Sequence, residues 1–596
     1  MERPAPALVV LAGLAALLYA RNIASADFAP YYSGALRSMT ESWAAFAYGS
    51  FDPAGSITLD KIPGFLWPQA LATRLFGFHP WAAVLPQVLE GVVAVVFLFR
   101  AVRRWAGPAA ALLAAGIFAF TPVAASMFGH TMEDGALTVC TVLAASAWQR
   151  AVDEARPRSL LLAAFWVGAG FQAKMLMAWA VLPAFAIAYL VAAPAPLARR
   201  LGHLATAAGV VLAVSASWTL LVALTPAAGR PFVDGTTSND VLGMVVGYNG
   251  AARFGLPRLA GAITLDFGRL PAVATGPFKL LDPHLATQIG WLYPLAVVAL
   301  AVGLRDPRAR PGLLMWGIWL LIVAAAYSAG TVLHTQYMAA LAAPLAALSG
   351  YGIVRLGQAR ALPAAAAATL AWAAFLASRY PAFLPWVTAA AVVVGALGIA
   401  ALLSRRLVAV GAVCAAAAML ASPVAWATSA LDPLSDGTVL DASAGPSGIF
   451  DLVAPDVATA SRERLEGIPY AGAGIGLGPL TPRQRATLAY LEAHRGGATY
   501  LVATQSVALA TLYIRDSGQP VLLVGGFTGR APFPTLARFR ALVVGGQVRY
   551  ALVPVPPQGS GPIATRDAVA AWVRADCRPV PGAQPVAPIG DALYAC

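Results

Sequence analysis

Residues 27–69 read DFAPYYSGALRSMTESWAAFAYGSFDPAGSITLDKIPGFLWPQ and lie between one apolar segment and the next. Asp27, Arg37, Glu41, Asp52, Asp60 and Lys61 are interleaved there with aromatic side chains. A plain connection between two packed helices is about 2–8 residues long. This stretch is too apolar to float in water and too charged to cross a bilayer. It reads as a structured loop at the membrane surface, with its acids and its lysine turned toward a cavity.

The surrounding chain supplies the membrane. Of 596 residues, 59% are hydrophobic and 11% charged, and mean hydropathy is +0.70. Soluble domains carry about 25% charged residues, so the chain is mainly α and polytopic. Apolar runs long enough to span fall near 5–21, 81–101, 107–127, 135–151, 158–175, 177–196, 204–225, 286–304, 311–328, 335–354, 361–378, 384–403 and 407–428, about 13 transmembrane helices. The opening MERPAPALVVLAGLAALLYARN lacks a small-residue cleavage site and reads as a retained first span.

Arginines give the orientation. They follow spans two, four, six, eight, ten and twelve: Arg100, Arg103 and Arg104; Arg150, Arg156 and Arg158; Arg199 and Arg200; Arg305, Arg308 and Arg310; Arg355 and Arg360; Arg405 and Arg406. Basic turns stay cytoplasmic, which puts the N-terminus in the cytoplasm and the C-terminal region outside. The same placement accounts for the net charge of +13 without a nucleic-acid partner, for which no motif is present. Expected domains are therefore a membrane part, 1–428, with outer loops at 27–80 and 226–285, and an extracytoplasmic soluble part, 429–596. In that tail TYLVAT (499–504), PVLLVGG (520–526) and VRYALVPV (548–555) read as strands. TPRQRATLAYLEAHRGG and TLARFRALVVGG read as helices, the first with Thr481 as N-cap, Pro482 next and Gly496 as stop. The tail is a small α/β domain. Cys140 and Cys414 sit in apolar runs as packing residues, whereas Cys577 and Cys596 lie in the tail, where an oxidising compartment would pair them.

Nearly all unusual polar residues fall on the outer side. Asp27 follows span one. GHTMEDGA carries His130, Glu133 and Asp134, Gln172 and Lys174 end span five, and SAGTVLHTQY carries His334 and Tyr337. An acid–base step needs a carboxylate beside the reacting group. Asp27 serves as such a base or as a solvated loop acid, and Asp134 as an acid or as a helix cap favoured by the helix dipole. Lys61, in LDKIPGFLW, is fixed by Pro63, Gly64 and the interfacial Trp67, and a fixed cation there neutralises a phosphate. Lys174, His334 and Tyr337 are further candidates at that phosphate, Lys174 otherwise being a snorkelling anchor. Asp60, Tyr31, Tyr32, Glu133, His130, Tyr248 and Asn249 are candidate substrate contacts. GYNG and GGFTG read first as tight turns and second as sugar-contacting loops. No His or Cys spacing matches a metal site, so no cofactor is expected and a divalent cation is not indicated.

The stretch from Ser38 to Gly91, SMTESWAAFAYGSFDPAGSITLDKIPGFLWPQALATRLFGFHPWAAVLPQVLEG, closely resembles the bacterial family 39-like membrane glycosyltransferases. That polyprenyl-phosphate-sugar-dependent group includes protein O-mannosyltransferases and the aminoarabinose transferase of lipid A. The resemblance continues through FTPVAASMF, GFQAKMLMAWAVLPAFAIAYL, GTTSNDVLGMVVGYNG, HTQY and GGFTGRAPFPTLARFRALVVGGQVRY, over essentially the whole chain. It implies the GT-C fold, with the active site under the first long outer loop. The family's base after span one falls on Asp27, its acid at the span three–four turn on Asp134, and the phosphate lysine of its DKPP motif on Lys61. This chain has DKIP for DKPP, TMED (131–134) for NNPD, and DFAPYY where an Asn is frequent, which implies an altered substrate.

The expected activity is inverting transfer of a hexose or pentose from a polyprenyl-phosphate donor to a hydroxyl of a cell-envelope glycan, lipid or protein, outside the bacterial plasma membrane. Two other classes compete: a flippase or transporter of the lipid-linked sugar, and an inactive relative that binds partners in envelope assembly. A transporter predicts discontinuous helices and midplane charges; the sequence reads as continuous spans with charges at helix ends.

Overall fold

The computed structural model describes residues 6–24, 28–154, 156–256, 261–263, 275–331, 334–358, 361–404, 407–438, 441–446, 478–554, 568–581 and 591–596. The chain forms two compact units. One comprises Met1–Ser25, Val84–Ala216 and Leu270–Ala454, the other Ala26–Ala83, Ser217–Arg269 and Pro455–Cys596.

Among the described residues, seven helices are long and apolar enough to cross a membrane: Pro80–Ala106, Leu197–Leu224, Pro283–Gly303, Arg310–Ala329, Thr335–Gly357, Pro385–Leu403 and Val408–Ser429. Pro6–Tyr19, Pro108–Ala119, Leu176–Ala192 and Leu362–Ser378 are apolar but shorter. Glu133–Asp153 and Pro157–Lys174 occupy the stretches expected at 135–151 and 158–175. Three expected spans are interrupted among the described residues, 286–304 by a 3₁₀ turn, Gly290–Leu292, between Pro283–Ile289 and Tyr293–Gly303. Residues 107–127 form Pro108–Ala119 and then Pro122–Met127. Pro122 lacks an N–H and forces Thr121 into an extended conformation, ψ 127°. Likewise 177–196 breaks into Leu176–Trp179 and Leu182–Ala192, the second piece with Pro183 in its first turn.

Small residues allow helices of the first unit to approach closely. A Cβ on Gly411 would lie 2.7 Å from the Gly398 carbonyl oxygen, so Pro385–Leu403 and Val408–Ser429 meet backbone to backbone. Just beyond the latter helix lies an antiparallel pair, β1 (Asp436–Thr438) and β2 (Asp441–Ala444). Its acids fasten it. The Asp436 carboxylate pairs with the Arg21 guanidinium and accepts from Ser126 Oγ at 2.8 Å. Asp441 accepts from Thr335 N at 2.7 Å and Thr335 Oγ1 at 2.8 Å. Gln288 exchanges two bonds with the Ala444 backbone, 2.8 and 2.9 Å. Arg21 and Asp436 side chains are each 3% exposed. Removing one partner of such a pair costs about 3–5 kcal/mol because the other charge stays buried. Arg21→Leu should therefore lower the unfolding temperature in detergent, and adding Asp436→Leu should recover most of the loss.

The second unit contains the α/β tail. Its sheet has the order β4–β3–β5–β7–β6, with β3 (Val502–Thr504), β4 (Val521–Leu523), β5 (Tyr550–Pro554), β6 (Arg578–Pro579) and β7 (Asp591–Ala595). β3 pairs parallel with β4 and β5, while β7 is antiparallel to β5 and β6. Thr481 caps helix Pro482–His494 in a reciprocal pair: its hydroxyl accepts from Gln484 N at 3.2 Å, and Gln484 Oε1 accepts from Thr481 N at 2.8 Å. Cys577 and Cys596 form a disulfide. Two described helices of the tail have no counterpart in the sequence reading, Ala568–Asp576 and Val507–Ser517, the latter capped by Ser506. Against Val507–Ser517 packs helix Tyr32–Glu41 of the first long loop, close enough that a Cβ on Gly34 would lie 3.3 Å from Thr511 Cα.

Candidate functional site

Two polar clusters are built independently, one in each unit. In the second unit the turn Phe51–Lys61 is shaped by Asp52, which accepts from Ala54 N and Ser56 N at 3.0 Å each and from the Ser56 hydroxyl. Burial pushes the Asp52 carboxyl up to about 6 against those bonds. The Thr58 N–H donates to the Phe232 carbonyl at 2.8 Å, tying this turn to the 230–255 segment. Asp60 is then held on three sides. Its Oδ2 accepts from Tyr248 OH at 3.0 Å, its carbonyl from Asn249 Nδ2 at 2.7 Å, and its N–H donates to Tyr31 OH at 3.1 Å. Lys61, 8% exposed, donates from Nζ to Tyr32 OH at 2.6 Å.

The two tyrosines are aimed by strain. Tyr31 precedes helix Tyr32–Glu41 with φ +63°, a conformation that bulky residues rarely adopt. Consecutive rings thereby meet consecutive polar groups, Tyr31 at Asp60 and Tyr32 at Lys61. Burial, then the Asp60 charge, raises the Tyr31 and Tyr248 phenols well above their ordinary value. Both stay neutral and keep their protons.

Asp234 was not foreseen. It accepts from Gly235 N at 2.6 Å and Phe527 N at 2.7 Å. Burial pushes its carboxyl up to about 7, opposed by the Phe527 and Gly235 bonds and reinforced by the Asp60 charge. In the unfolded chain it titrates near its ordinary 3.8, so its contribution to stability is whole below about pH 4 and is lost as pH rises through about 7. The drop is on the order of 4 kcal/mol. Thermal unfolding from pH 4 to 8 should show this decline, and Asp234→Asn should flatten it.

In the first unit, helix Glu133–Asp153 opens with both acids in its first turn, where the helix dipole favours them. Helix Pro157–Lys174 ends on Lys174, and Met175, at φ +44°, turns the chain away. Lys174 Nζ pairs with the Asp134 carboxylate, stands 3.7 Å from Glu133 Oε1, and lies 3.7 Å from the Tyr337 ring centroid. Asp134 is 1% exposed and Glu133 8%. His334 meets Tyr337 edge to face at 5.3 Å, and Tyr327 stacks on it at 5.9 Å.

His130 turns elsewhere: its Nε2 is 3.4 Å from Asp436 Oδ2. Burial raises the Asp436 carboxyl, but the Arg21 and His130 charges outweigh it and hold the group below its ordinary value. The structure thus gathers Tyr31, Tyr32, Asp60, Lys61, Tyr248 and Asn249 in one cluster. Glu133, Asp134, Lys174, His334 and Tyr337 form the other, and His130 joins the β1–β2 anchor. Asp27 lies outside the described residues. Lys174, expected at a donor phosphate, already faces two carboxylates, which reduces the charge it offers an anion. Among the described residues no three His, Cys, Asp or Glu side chains are placed to hold one metal ion. Asp436 and Asp441 stand just past the last apolar run, the same position relative to a span that singled out Asp27.

Comparison with known proteins follows the same lines. Residues 60–218 match the family model described as Dolichyl-phosphate-mannose-protein mannosyltransferase. Residues 487–576 match "Putative mannosyltransferase YkcB-like, C-terminal". Two Bacillus subtilis (strain 168) proteins, "Putative mannosyltransferase YkcB" and "Putative mannosyltransferase YycA", are 29% and 27% identical over 88% and 92% of this chain and 85% and 91% of their own lengths. The crystal structure of ArnT from Cupriavidus metallidurans bound to undecaprenyl phosphate superposes with a TM-score of 0.57 at 20% identity. That match covers 98% of this chain and 97% of that one, and it establishes a shared fold.

Proposed function

We propose that this chain, a polytopic membrane protein of the GT-C glycosyltransferase superfamily, moves one sugar from a polyprenyl-phosphate donor to a hydroxyl outside the bacterial plasma membrane. The observation that carries this reading is Lys61, a nearly buried ammonium bonded to Tyr32 within a fixed turn. A desolvated cation of this kind stabilises a leaving phosphate far better than a solvated one. The acceptor oxygen attacks the anomeric carbon, its proton passes to a carboxylate, and the bond from that carbon to the phosphate oxygen breaks with the electron pair leaving on the lipid phosphate. Attack opposite the leaving group inverts the anomeric carbon. Asp27 is the preferred base and Asp134 the second acid.

The lipid chain needs an apolar seat. Taken by itself, the first unit holds two cavities lined by apolar side chains, about 430 Å³ beside Leu14, Phe120 and Trp291, and about 350 Å³ beside Val167, Trp179 and Leu212. The cytoplasmic N-terminus and external tail follow from the basic turns. Acceptors in this reading are cell-envelope glycans, lipids or proteins.

Reconstituted vesicles test it. A panel of polyprenyl-phosphate sugars is offered with membrane extract as acceptor, comparing wild type, Asp27→Asn and Lys61→Ala. Transfer by wild type, lost in both variants with folding retained, is the expected result. Transfer retained in Asp27→Asn moves the base to another acid. Label crossing the bilayer uncleaved would replace the reading with a flippase.

A further inference from the structure

The GGFTG loop of the tail, residues 525–529, is shaped for one close approach. Gly525, Gly526 and Gly529 have φ of +94°, +64° and +67°. The loop closes on itself through Gly525 N–Phe533 O at 2.7 Å and Ala531 N–Gly525 O at 2.9 Å. A Cβ on Gly526 would lie 2.3 Å from Asp234 Oδ1, so only glycine lets the Phe527 N–H reach that carboxylate. The loop delivers one side chain. The Phe527 ring sits 4.5 Å from the Tyr31 ring. Tyr31 is 6% exposed, and Phe51, Phe65 and Tyr248 are 0% exposed, whereas Phe527 is 36% exposed. An anchored ring with an open face, at the edge of a polar cluster, suits a ligand better than a core.

Its place fixes the ligand. Tyr31 touches Phe527 on one side and accepts from the Asp60 N–H, and its ring lies 5.6 Å from Tyr32, which accepts from Lys61. In a lipid-phosphate sugar the ring is bonded directly to the phosphate. A phosphate on Lys61 therefore leaves its sugar to be covered by the nearest open surface. Pyranose C–H groups carry partial positive charge and suit the negative face of an aromatic ring.

We infer that Phe527, supplied by the C-terminal α/β domain, is the platform for the donor's sugar ring and a determinant of donor specificity. This rests on the reading of Lys61 as the phosphate contact. The test measures binding to the full chain in nanodiscs, with undecaprenyl phosphate and its mannose, glucose, galactose and arabinose derivatives as probes. Wild type is expected to bind at least one sugar-bearing lipid about tenfold tighter than the bare lipid. Phe527→Ala and Phe527→Leu should abolish that preference without changing affinity for the bare lipid. Phe527→Trp should retain it, which separates the ring from simple packing. Lys61→Ala should weaken bare and sugar-bearing lipids alike. No preference for any of the four sugars in wild type, or a preference that survives in Phe527→Leu, overturns the platform. Wild type that binds none of the five lipids overturns the donor reading itself.

Discussion

Lys61→Ala should lower transfer from a polyprenyl-phosphate sugar by about 100- to 1000-fold, the loss usual when one well-placed donor to a developing charge is removed. The effect should fall mainly on kcat, because negative charge on the phosphate oxygen grows as the anomeric bond breaks. Lys61→Arg should restore little. The ammonium is nearly buried and donates to Tyr32 OH at 2.6 Å, and a planar guanidinium is bulkier and points its donors differently. Tyr32→Phe removes only the orienting hydroxyl and should cost about tenfold. Turnover measured with defined donor and acceptor checks all three. Activity of Lys61→Ala within a factor of a few of wild type would remove this residue from the chemistry.

Lys174→Met should both destabilise the first unit and stop transfer. Without the ammonium, Asp134 and Glu133 remain buried at 1% and 8% exposure with their principal positive neighbour gone. Breaking a buried pair from one side costs about 3–5 kcal/mol. Tyr337 also loses the cation 3.7 Å from its ring centroid, worth about 1–2 kcal/mol where desolvated. The double change Lys174→Met with Asp134→Leu removes both charges and should recover much of the unfolding temperature. Transfer should stay absent in it. A stable, active double variant would reduce Asp134 and Lys174 to scaffolding, and a Lys174→Met protein as stable as wild type would show that the pair holds nothing together.

Much of the membrane part was legible because a bilayer leaves the backbone few options. Apolar runs marked helices such as Arg310–Ala329 and Val408–Ser429 to within a few residues. The breaks at Thr121 and Val181 were not legible, although Pro122 and Pro183 stood in the sequence, since a proline near a helix start and one inside a span look alike in a hydropathy window. Within the candidate site, loop residues chosen for charge at a membrane edge, Asp60 and Lys61, fell together with Tyr31, Tyr32, Tyr248 and Asn249. His130 and Asp134 parted although only three residues intervene, because Gly129–Thr131 precedes the helix and faces β1 instead. The link between Asp234 and Phe527 escaped notice for a different reason, although GGFTG itself reads as a turn or sugar-contacting loop. Their bond joins residues 293 positions apart, and no local pattern announces such a partner.

The 26–83 loop and the tail share one compact unit, and this bears on how the protein is made. Helix Tyr32–Glu41 finishes its packing only against Val507–Ser517, synthesised more than 400 residues later. At about 5–20 residues per second, the loop waits on the order of tens of seconds with the Gly34 face of that helix, and the Tyr31 ring that later meets Phe527, uncovered. During that interval it is a client for whatever guards nascent chains on its side of the membrane. A message cut short before residue 507 yields a protein whose spans insert but whose first long loop never matures, and quality control, rather than lost chemistry, would clear it.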